Sequence, residues 1–357
     1  MAKQIKIKDI AQMAKVSAGT VDRILHNRGN VSAESREKVE KVLAKVGYKF
    51  NIHASAVSLK KSFRIIISIP SASIGEYWGS VQTGLERALE EFCDVDIRCS
   101  YSFYNQFDAY SCENAFSHIC EEKPDAVIIG PTFTEPTRKL CEKLDKAGIV
   151  YTFVDSVIDG CHPLATFTTD QYSCGKILAR ILNNEVSDGD ELAIFRSMRI
   201  GNYKSFNSSE RKRGFDDMIS AIEKESGKKI KVWETNFSVL NTDENDENVR
   251  NFLQSHPNVK GIAVMNSRGH IIADLLEAHG INDIAIVSFD LTYNNKRVLK
   301  SGYIRALLCQ RPELQGFQAI KTVIMYLMYK QKEETVHHKM PIDIILKENL
   351  PFYRQVL

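Results

Sequence analysis

The sequence lacks the patterns that mark most enzymes and most exported proteins. Its eight cysteines are scattered: Cys93, Cys99, Cys112, Cys120, Cys141, Cys161, Cys174 and Cys309. None forms a C-x-x-C, and no Cys/His group has zinc-finger spacing, which argues against a structural zinc site. No G-x-S-x-G, H-E-x-x-H, P-loop or G-x-G-x-x-G fingerprint occurs, so neither catalysis nor a metal or cofactor is expected. The opening MAKQIKIKDI lacks the apolar core of a signal peptide, and no apolar run reaches the roughly 18 residues of a membrane span. A cytosolic chain with reduced thiols is therefore expected, most of them small core residues, with no membrane partner. Low-complexity segments and short-period repeats are missing too.

Charge is present but unevenly spread. The whole 357-residue chain carries only +2. Residues 1–62 hold thirteen Lys and Arg against five Asp and Glu, a net +8, which leaves −6 for the other 295 residues. A basic head on an acidic body suggests that the head meets a polyanion and the body does not. The plain alternative is a solvated basic face.

The head reads as three short amphipathic helices. Ile7, Ile10, Ala11 and Ala14 share one face, and Val21, Ile24 and Leu25 form the apolar side of a helix over 17–26. Val39, Val42, Leu43 and Val46 line a third, capped by Ser32 and stopped by Gly47. Residues 51–62 are helix-compatible but too short to stand alone, and read as a connector. From Phe63 onward apolar runs recur: FRIIISIP, DAVIIGP, IVYTFVDS, ELAIFRS, GIAVMNS, IAIVSFD and IRALLCQ. Helical patterns separate them. Strands that are apolar throughout, alternating with helices, indicate parallel sheets buried on both faces. One sheet could hold them all, but 295 residues suit two doubly wound lobes better. The boundaries expected are 1–50 for the head, 51–62 for the connector and 63–357 for the body. Within the body, one lobe takes about 63–165 and 291–318, the other about 166–290 and 319–357. His337-His338 precedes the last strand and reads as solvated.

In doubly wound sheets, ligands bind off the carboxyl ends of the strands. Those ends collect Tyr77, Trp78, Asp155, Asn266, Asp290 and Gln310, with Thr132 in the loop after DAVIIGP and Arg211 on a following helix. Two adjacent aromatics with Asp, Asn, Gln and Arg suit a polyhydroxylated ligand. Each residue also has an ordinary reading. Tyr77 and Trp78 can be core aromatics, Asp155, Asp290 and Asn266 helix caps or turn formers, and Arg211 a surface ion-pair partner.

Two helices joined by the turn Ala14-Lys15-Val16-Ser17, inside a basic three-helix unit, suggest a helix-turn-helix with its second helix in the DNA major groove. The alternative is a generic helical cap. The residues Asp9-Ile10-Ala11, Ala14-x-Val16-Ser17, Thr20-Val21, Arg23-Ile24-Leu25, Val31-Ser32, Arg36, Val39, Gly47-Tyr48 and Asn51 closely resemble the head of the lactose-repressor (LacI/GalR) family of bacterial transcription regulators. The resemblance implies a homodimer on a palindromic operator in double-stranded DNA, and a connector that becomes a minor-groove hinge helix. It puts Ala18 and Gly19 at the family's base-reading positions, Arg23 at a base-contacting arginine, and Thr20 and Asn27 at backbone contacts. Ser17, Asp22, Arg28, Asn51 and Ala54 join the implied DNA face. Val57 stands at the family's wedge leucine, with Leu59 two residues on, so either can be the wedge. Lys15 replaces a turn glycine and has to take φ > 0, at roughly 1–2 kcal/mol. Asp22 orients a neighbouring basic side chain, accepts from a cytosine amino group, or makes only an exposed pair with His26.

The body resembles the type I periplasmic sugar-binding fold used by this family, most closely its ribose-binding branch. Tyr77-Trp78, Arg211-x-x-Gly214-Phe215, Asn266, Phe289-Asp290 and Gln310-Arg311-Pro312-Glu313 carry that likeness, in the right order. Ser156 departs where sugar binders often place an arginine, and Asp170 is expected to contribute from the crossover into the second lobe. The resemblance thus implies a small all-α helix-turn-helix head plus an α/β body of two doubly wound parallel-sheet lobes. The function expected is a cytoplasmic, nucleoid-associated transcription regulator, a repressor, controlled by a small sugar or sugar derivative between the lobes. The rival is a sugar-binding transport component.

Overall fold

The computed structural model describes residues 7–25, 31–46, 61–201, 205–239, 241, 243–330 and 336–353. In the head, α1 (Ile7–Ala14) and α2 (Ala18–Leu25) flank a turn that ends α1 in a Schellman motif. Val16 N donates to Ala11 O at 3.0 Å and Lys15 N to Gln12 O at 3.3 Å, with Lys15 at φ +54°. That is the glycine position of the motif, so a lysine there is strained as the sequence suggests. Ser17 Oγ caps α2 by accepting from Thr20 N at 3.0 Å. Ser32 Oγ does the same for α3 (Ala33–Val46), accepting from Ser35 N at 3.3 Å. Eight-residue helices are not stable alone; they are held by a shared core of Ile10, Ala11, Ala14, Val21, Ile24 and Val39.

The body builds two six-stranded sheets. The first contains β1 (Ser62–Ser68), β2 (Asp96–Tyr101), β3 (Ala126–Ile129), β4 (Val150–Val154), β5 (Ala165–Thr168) and β11 (His337–Lys339), in the order β11-β5-β4-β3-β1-β2. The second contains β6 (Glu191–Ser197), β7 (Val232–Phe237), β8 (Val259–Val264), β9 (Ala285–Phe289), β10 (Ile304–Cys309) and β12 (Asp343–Ile345), in the order β12-β10-β9-β8-β6-β7. All pairings are parallel except β10 with β12. Each apolar run picked out in the sequence is a strand, and β1, β3, β4, β6, β8, β9 and β10 are interior strands of the two sheets; β5, also interior, is not among those runs.

The crossovers fall elsewhere than the sequence suggests. Residues 291–309, expected in the first lobe, belong to the second: α11 (Tyr293–Ser301) and β10 follow β9 as one strand-helix-strand unit. Parallel neighbours joined by a helix stay in one sheet, so the unit cannot be cut after β9. Conversely, residues 319–339, expected in the second lobe, belong to the first. There α12 (Pro312–Tyr329) contributes Ala319, Ile320 and Val323 to the core under β1 and β3. His337-His338 lies in β11 beside β5, and His338 stacks on Phe167 with ring centroids 4.7 Å apart, so it is not simply solvated. Likewise β5 stays in the first sheet, and the chain leaves that lobe after Thr168 rather than after residue 165.

In the second lobe α7 (Gln171–Glu185) and α8 (Phe206–Ser226) touch backbone to backbone. A Cβ on Gly175 would lie 1.8 Å from Arg211 O, and one on Gly214 would lie 1.9 Å from Tyr172 O. Only glycine permits this approach. It fixes the N-terminal half of α8, and with it Arg211, against the cleft.

Candidate functional site

The carboxyl ends of the two sheets face one another across a cleft with about 90 Å³ of free space. Tyr77, Trp78, Thr132, Asp155, Arg211, Asn266, Asp290 and Gln310 all line it. Asp170 does not. It caps α7 by accepting from Ser173 N at 2.9 Å and pairs with Lys339 Nζ at 2.7 Å. A residue two past β5 starts the next helix and is used up by that helix's free N–H groups.

Two aspartates are set symmetrically. Asp155 follows β4 and Asp290 follows β9, and both are non-glycine residues in the left-handed region, at φ +77° and +61°. Such strain persists where surrounding structure over-determines it, commonly at binding sites. Here it turns each carboxyl off its strand end into the cleft. Asp155 Oδ1 accepts from the Tyr77 hydroxyl at 2.8 Å, and Oδ2 from Asn207 Nδ2 at 2.8 Å. The Asp290 carboxylate accepts from Gln310 Nε2 at 3.0 and 3.3 Å. Burial pushes Asp290 up to about 7, with Arg211 pulling the other way. Asp155 is raised as well, again by burial, with Arg211 and the Tyr77 hydroxyl opposing it. Burial and then the Asp155 charge hold the Tyr77 phenol protonated.

Arg211 is 5% exposed and is not a surface ion-pair residue. Its guanidinium lies 3.7 Å from the centre of the Phe289 ring. It donates to Gln171 Oε1 at 2.7 Å, Met265 O at 2.8 Å and Gln310 Oε1 at 3.0 Å. Gln310 Oε1 also accepts from Thr169 and Gln171, so arginine and amides form one network under the cleft floor. Tyr77 and Trp78 serve both readings at once. They belong to the first lobe's core, edge to face at 5.2 Å, and they border the cleft.

Sequence reasoning misses several cleft residues. Arg199, beyond the end of β6, reaches across to donate to Thr132 O at 2.8 Å and Gln106 O at 2.6 Å, over the Phe133 ring. The strand-end rule applied to β6 points to this loop. Asn207 lies one helical turn before Arg211 on α8, and that i,i+4 spacing is the signal for it. Arg268 pairs across the lobes with Glu76 through its two terminal guanidinium nitrogens, one of them at 3.2 Å. Nothing in the sequence pattern pairs these two. Among the described residues no group of three His, Cys, Asp or Glu is placed to hold a metal, and no helix is long and apolar enough to cross a membrane.

In the head, Ser17, Ala18, Gly19 and Arg23 are exposed on or beside α2, while Thr20 and Asp22 are half-buried. A Cβ at Gly19 would meet only Ser17 Oγ, at 3.8 Å. Packing therefore does not demand glycine there. Asn27, Arg28, Asn51, Ala54, Val57 and Leu59 lie outside the described residues.

Known proteins share both halves of this architecture. The family model for bacterial regulatory proteins of the lacI family matches residues 6–51, and that for a periplasmic binding protein domain matches residues 65–332. The HTH-type transcriptional regulator DegA of Bacillus subtilis is 30% identical over 122 residues, covering 34% of this chain and 35% of DegA. Catabolite control protein A of Staphylococcus aureus is 28% identical over 142 residues, 38% of this chain and 40% of the relative. The match thus spans well under half the length of these curated relatives. A crystal structure assigned as a LacI transcriptional regulator, from Bacteroides fragilis, superposes with a TM-score of 0.76 at 30% identity, over 82% of this chain and 100% of that one. GanP, a glucose-galactose binding protein from Geobacillus stearothermophilus, superposes at 0.69 with 21% identity over 82% and 100% of the two chains, a likeness of fold.

Proposed function

Since the chain belongs to the lacI family of bacterial regulatory proteins and carries a periplasmic binding protein domain, we propose that it is a sequence-specific transcription regulator acting as a repressor. Its affinity for a palindromic operator is set by a small carbohydrate-like effector held between the lobes. It works as a cytoplasmic, nucleoid-associated homodimer.

The observation that carries this reading is the facing pair Asp155 and Asp290, one from each lobe, buried with Arg211 and Gln310 beside them. A polyol matches this set. Its hydroxyls donate to the carboxylates and accept from the guanidinium and amide, while a C–H face packs on Tyr77 and Trp78. Asp155 already accepts from Asn207 across the cleft, so a sugar hydroxyl there continues a pattern of donors that both lobes share. The effector changes operator affinity only as far as it prefers one lobe arrangement over the other.

On DNA, α2 presents Ala18 and Gly19 outward. Small residues allow close approach and contact with thymine methyls but read little by hydrogen bonds, so Arg23 and DNA shape take a larger share of specificity. The transport reading is weaker, because a solute-binding protein has no use for the head that matches the lacI model.

A thermal-shift screen across sugars, sugar phosphates and polyols tests the proposal. At least one should raise the melting temperature and change operator binding by the same protein. Operator affinity should also fall steeply with salt, and a slope near zero would remove the phosphate-contact picture.

A further inference from the structure

The helix α6 (Thr134–Ala147) presents Arg138, Cys141 and Asp145 along one face, at spacings of three and four. The segment Gly160-Cys161-His162, between β4 and β5, lies against that face and is tied to it through His162. A Cβ on Gly160 would lie 4.0 Å from Arg138 Nε, and His162 Nδ1 is 3.1 Å from Asp145 Oδ2. With 160 opposite 138 and 162 opposite 145, Cys161 falls opposite Cys141. Cys161 packs against the buried cluster that contains Cys141. His162 N donates to the Tyr151 hydroxyl at 2.7 Å, and Tyr151 belongs to the same buried cluster as Cys141.

The two sulfurs are not equivalent. Cys141 is 1% exposed, inside the core, whereas Cys161 is half-buried at the core's edge. The Cys141 thiol holds the Cys161 pKa below its ordinary value, helped by Arg138 and His162 and opposed by burial and Asp145. The neighbouring Cys161 and burial raise Cys141. Arg138 is ion-paired with Glu135 and His162 with Asp145, so the charges around Cys161 are mixed. A more accessible thiol next to Arg138, beside a sheltered one, is an arrangement suited to oxidation followed by disulfide closure.

We infer that Cys161 and Cys141 form a peroxide-responsive modification site, outside the effector cleft, with Cys161 the attacking thiol and Cys141 the resolving one. The Cys161 thiolate attacks one oxygen of a hydroperoxide and the O–O bond breaks. Cys161 becomes a sulfenic acid, and the other oxygen leaves and takes a proton as water or an alcohol. Cys141 Sγ then attacks Cys161 Sγ. An S–S bond forms, the S–O bond breaks, and the released hydroxide takes the Cys141 proton as water. Two electrons pass from the thiol pair to one hydroperoxide.

The test uses the reduced full-length protein and hydrogen peroxide near pH 7.5, quenched with iodoacetamide and digested without reductant. Mass spectrometry should find a linked peptide pair carrying Cys141 and Cys161 before oxidation appears at Cys93, an exposed thiol. Arg138→Gln should give the same product several-fold more slowly. Cys161→Ser should give none and leave Cys141 reduced. Because Cys141 is buried, the wild-type and Arg138→Gln arms decide without altering it; dimedone labelling of Cys161 in folded Cys141→Ser adds the trapped sulfenic acid. Oxidation of Cys93 ahead of Cys161, an unchanged rate in Arg138→Gln, or no Cys141–Cys161 link in the wild type overturns the inference.

Discussion

Asn207, in the first turn of α8 in the second lobe, donates a 2.8 Å hydrogen bond to Asp155 at the end of β4 in the first. The bond crosses the cleft between two buried side chains, and the Asp155 carboxylate takes its other strong bond from Tyr77 in its own lobe. Asn207 therefore senses the separation of the lobes directly. Asn207→Ala should weaken effector binding about tenfold, near the 1.5 kcal/mol typical of a hydrogen bond to a charged group. Because the bond spans the lobes, effector-free operator binding should shift as well, in the same direction as on loss of the Glu76–Arg268 pair. Calorimetric titration with the effector found by thermal shift reads the first, and fluorescence anisotropy on operator DNA the second. Wild-type effector affinity in the variant would remove Asn207 from the site.

Asp290 sets a pH dependence whose direction follows from burial. Its pKa stands at about 7 in the folded chain against 3.8 ordinarily. Between roughly pH 4 and 7 the unfolded chain has lost this proton while the folded chain keeps it. Stability therefore falls as pH rises through that window, by at most about 1.4 kcal/mol per unit from this group. Below about 4 and above about 7 its contribution is flat. Asp155 is raised for the same cause and adds to the same slope. Urea unfolding at several pH values should show the fall, and Asp290→Asn should reduce it. Hydroxyl donors favour the ionised carboxylate, so effector binding near pH 6.5 should release protons. Calorimetry in two buffers of different ionisation enthalpy measures that release, and proton uptake would contradict the placement of a hydroxyl on Asp290.

How much of this could be read beforehand depended on burial. Strands covered on both faces are apolar throughout, so IIIS, AVII and AIVSF stand out in the sequence. The edge strands β2 and β7, DIRCSY and VWETNF, keep one side toward solvent and mix charge with apolar residues. They blend into the loops around them. Asp155, Asp290 and Gln310 were legible because each ends an apolar run. The cross-lobe partners of Arg199 and Glu76 were not, because they come from the lobes meeting: Arg199 bonds Thr132 O, 67 residues away, and Glu76 bonds Arg268, 192 residues away. The true crossover after β10 was hidden because Gln310-Arg311-Pro312 reads only as a helix start. Arg311 takes φ +52° there, a turn that no local pattern announces.

The open space at Gly19 separates fold from reading. An alanine there meets only Ser17 Oγ at 3.8 Å and replaces the poorest helix former short of proline. Gly19→Ala should stabilise the head by up to about 1 kcal/mol. If Gly19 faces the groove, the added methyl should change operator affinity by amounts that differ between operators. Differential scanning calorimetry and anisotropy on a set of single-base operator variants separate the two effects. A uniform change across all operators would place residue 19 away from the bases.

The Glu76–Arg268 pair is a second strap across the cleft, its side chains 30% and 15% exposed. Arg268→Ala should favour the open arrangement and weaken effector binding by about 1–2 kcal/mol, since charge-assisted bonds in partly buried sites exceed surface pairs. The wild-type effector affinity should fall as salt rises, and the variant's should fall less. Small-angle scattering without effector should show a larger radius of gyration for the variant. An unchanged radius together with unchanged affinity would leave the strap without a role in closure.

Gly214 explains why an arginine, two intervening residues, a glycine and a phenylalanine stand together beside this cleft. Phe215 is fully buried in the core beneath the second sheet, Arg211 enters the network around Gln310, and Gly214 lets α8 press against α7 at Tyr172 O. A methyl at 214 would sit 1.9 Å from that carbonyl, so the helices must part. Overpacking of this kind typically costs about 1–3 kcal/mol, and backbone gives way less readily than a side chain. Gly214→Ala should therefore lower stability by at least that range and carry Arg211 away from Gln310 and Met265. Its effect on effector binding should exceed that of Gly227→Ala, a control at the exposed end of the same helix whose left-handed φ of +72° also penalises alanine but whose Cβ would touch nothing. Chemical unfolding and effector titration on both variants decide it. Equal loss of effector affinity in the two would mean that general destabilisation, and not the position of Arg211, governs the cleft.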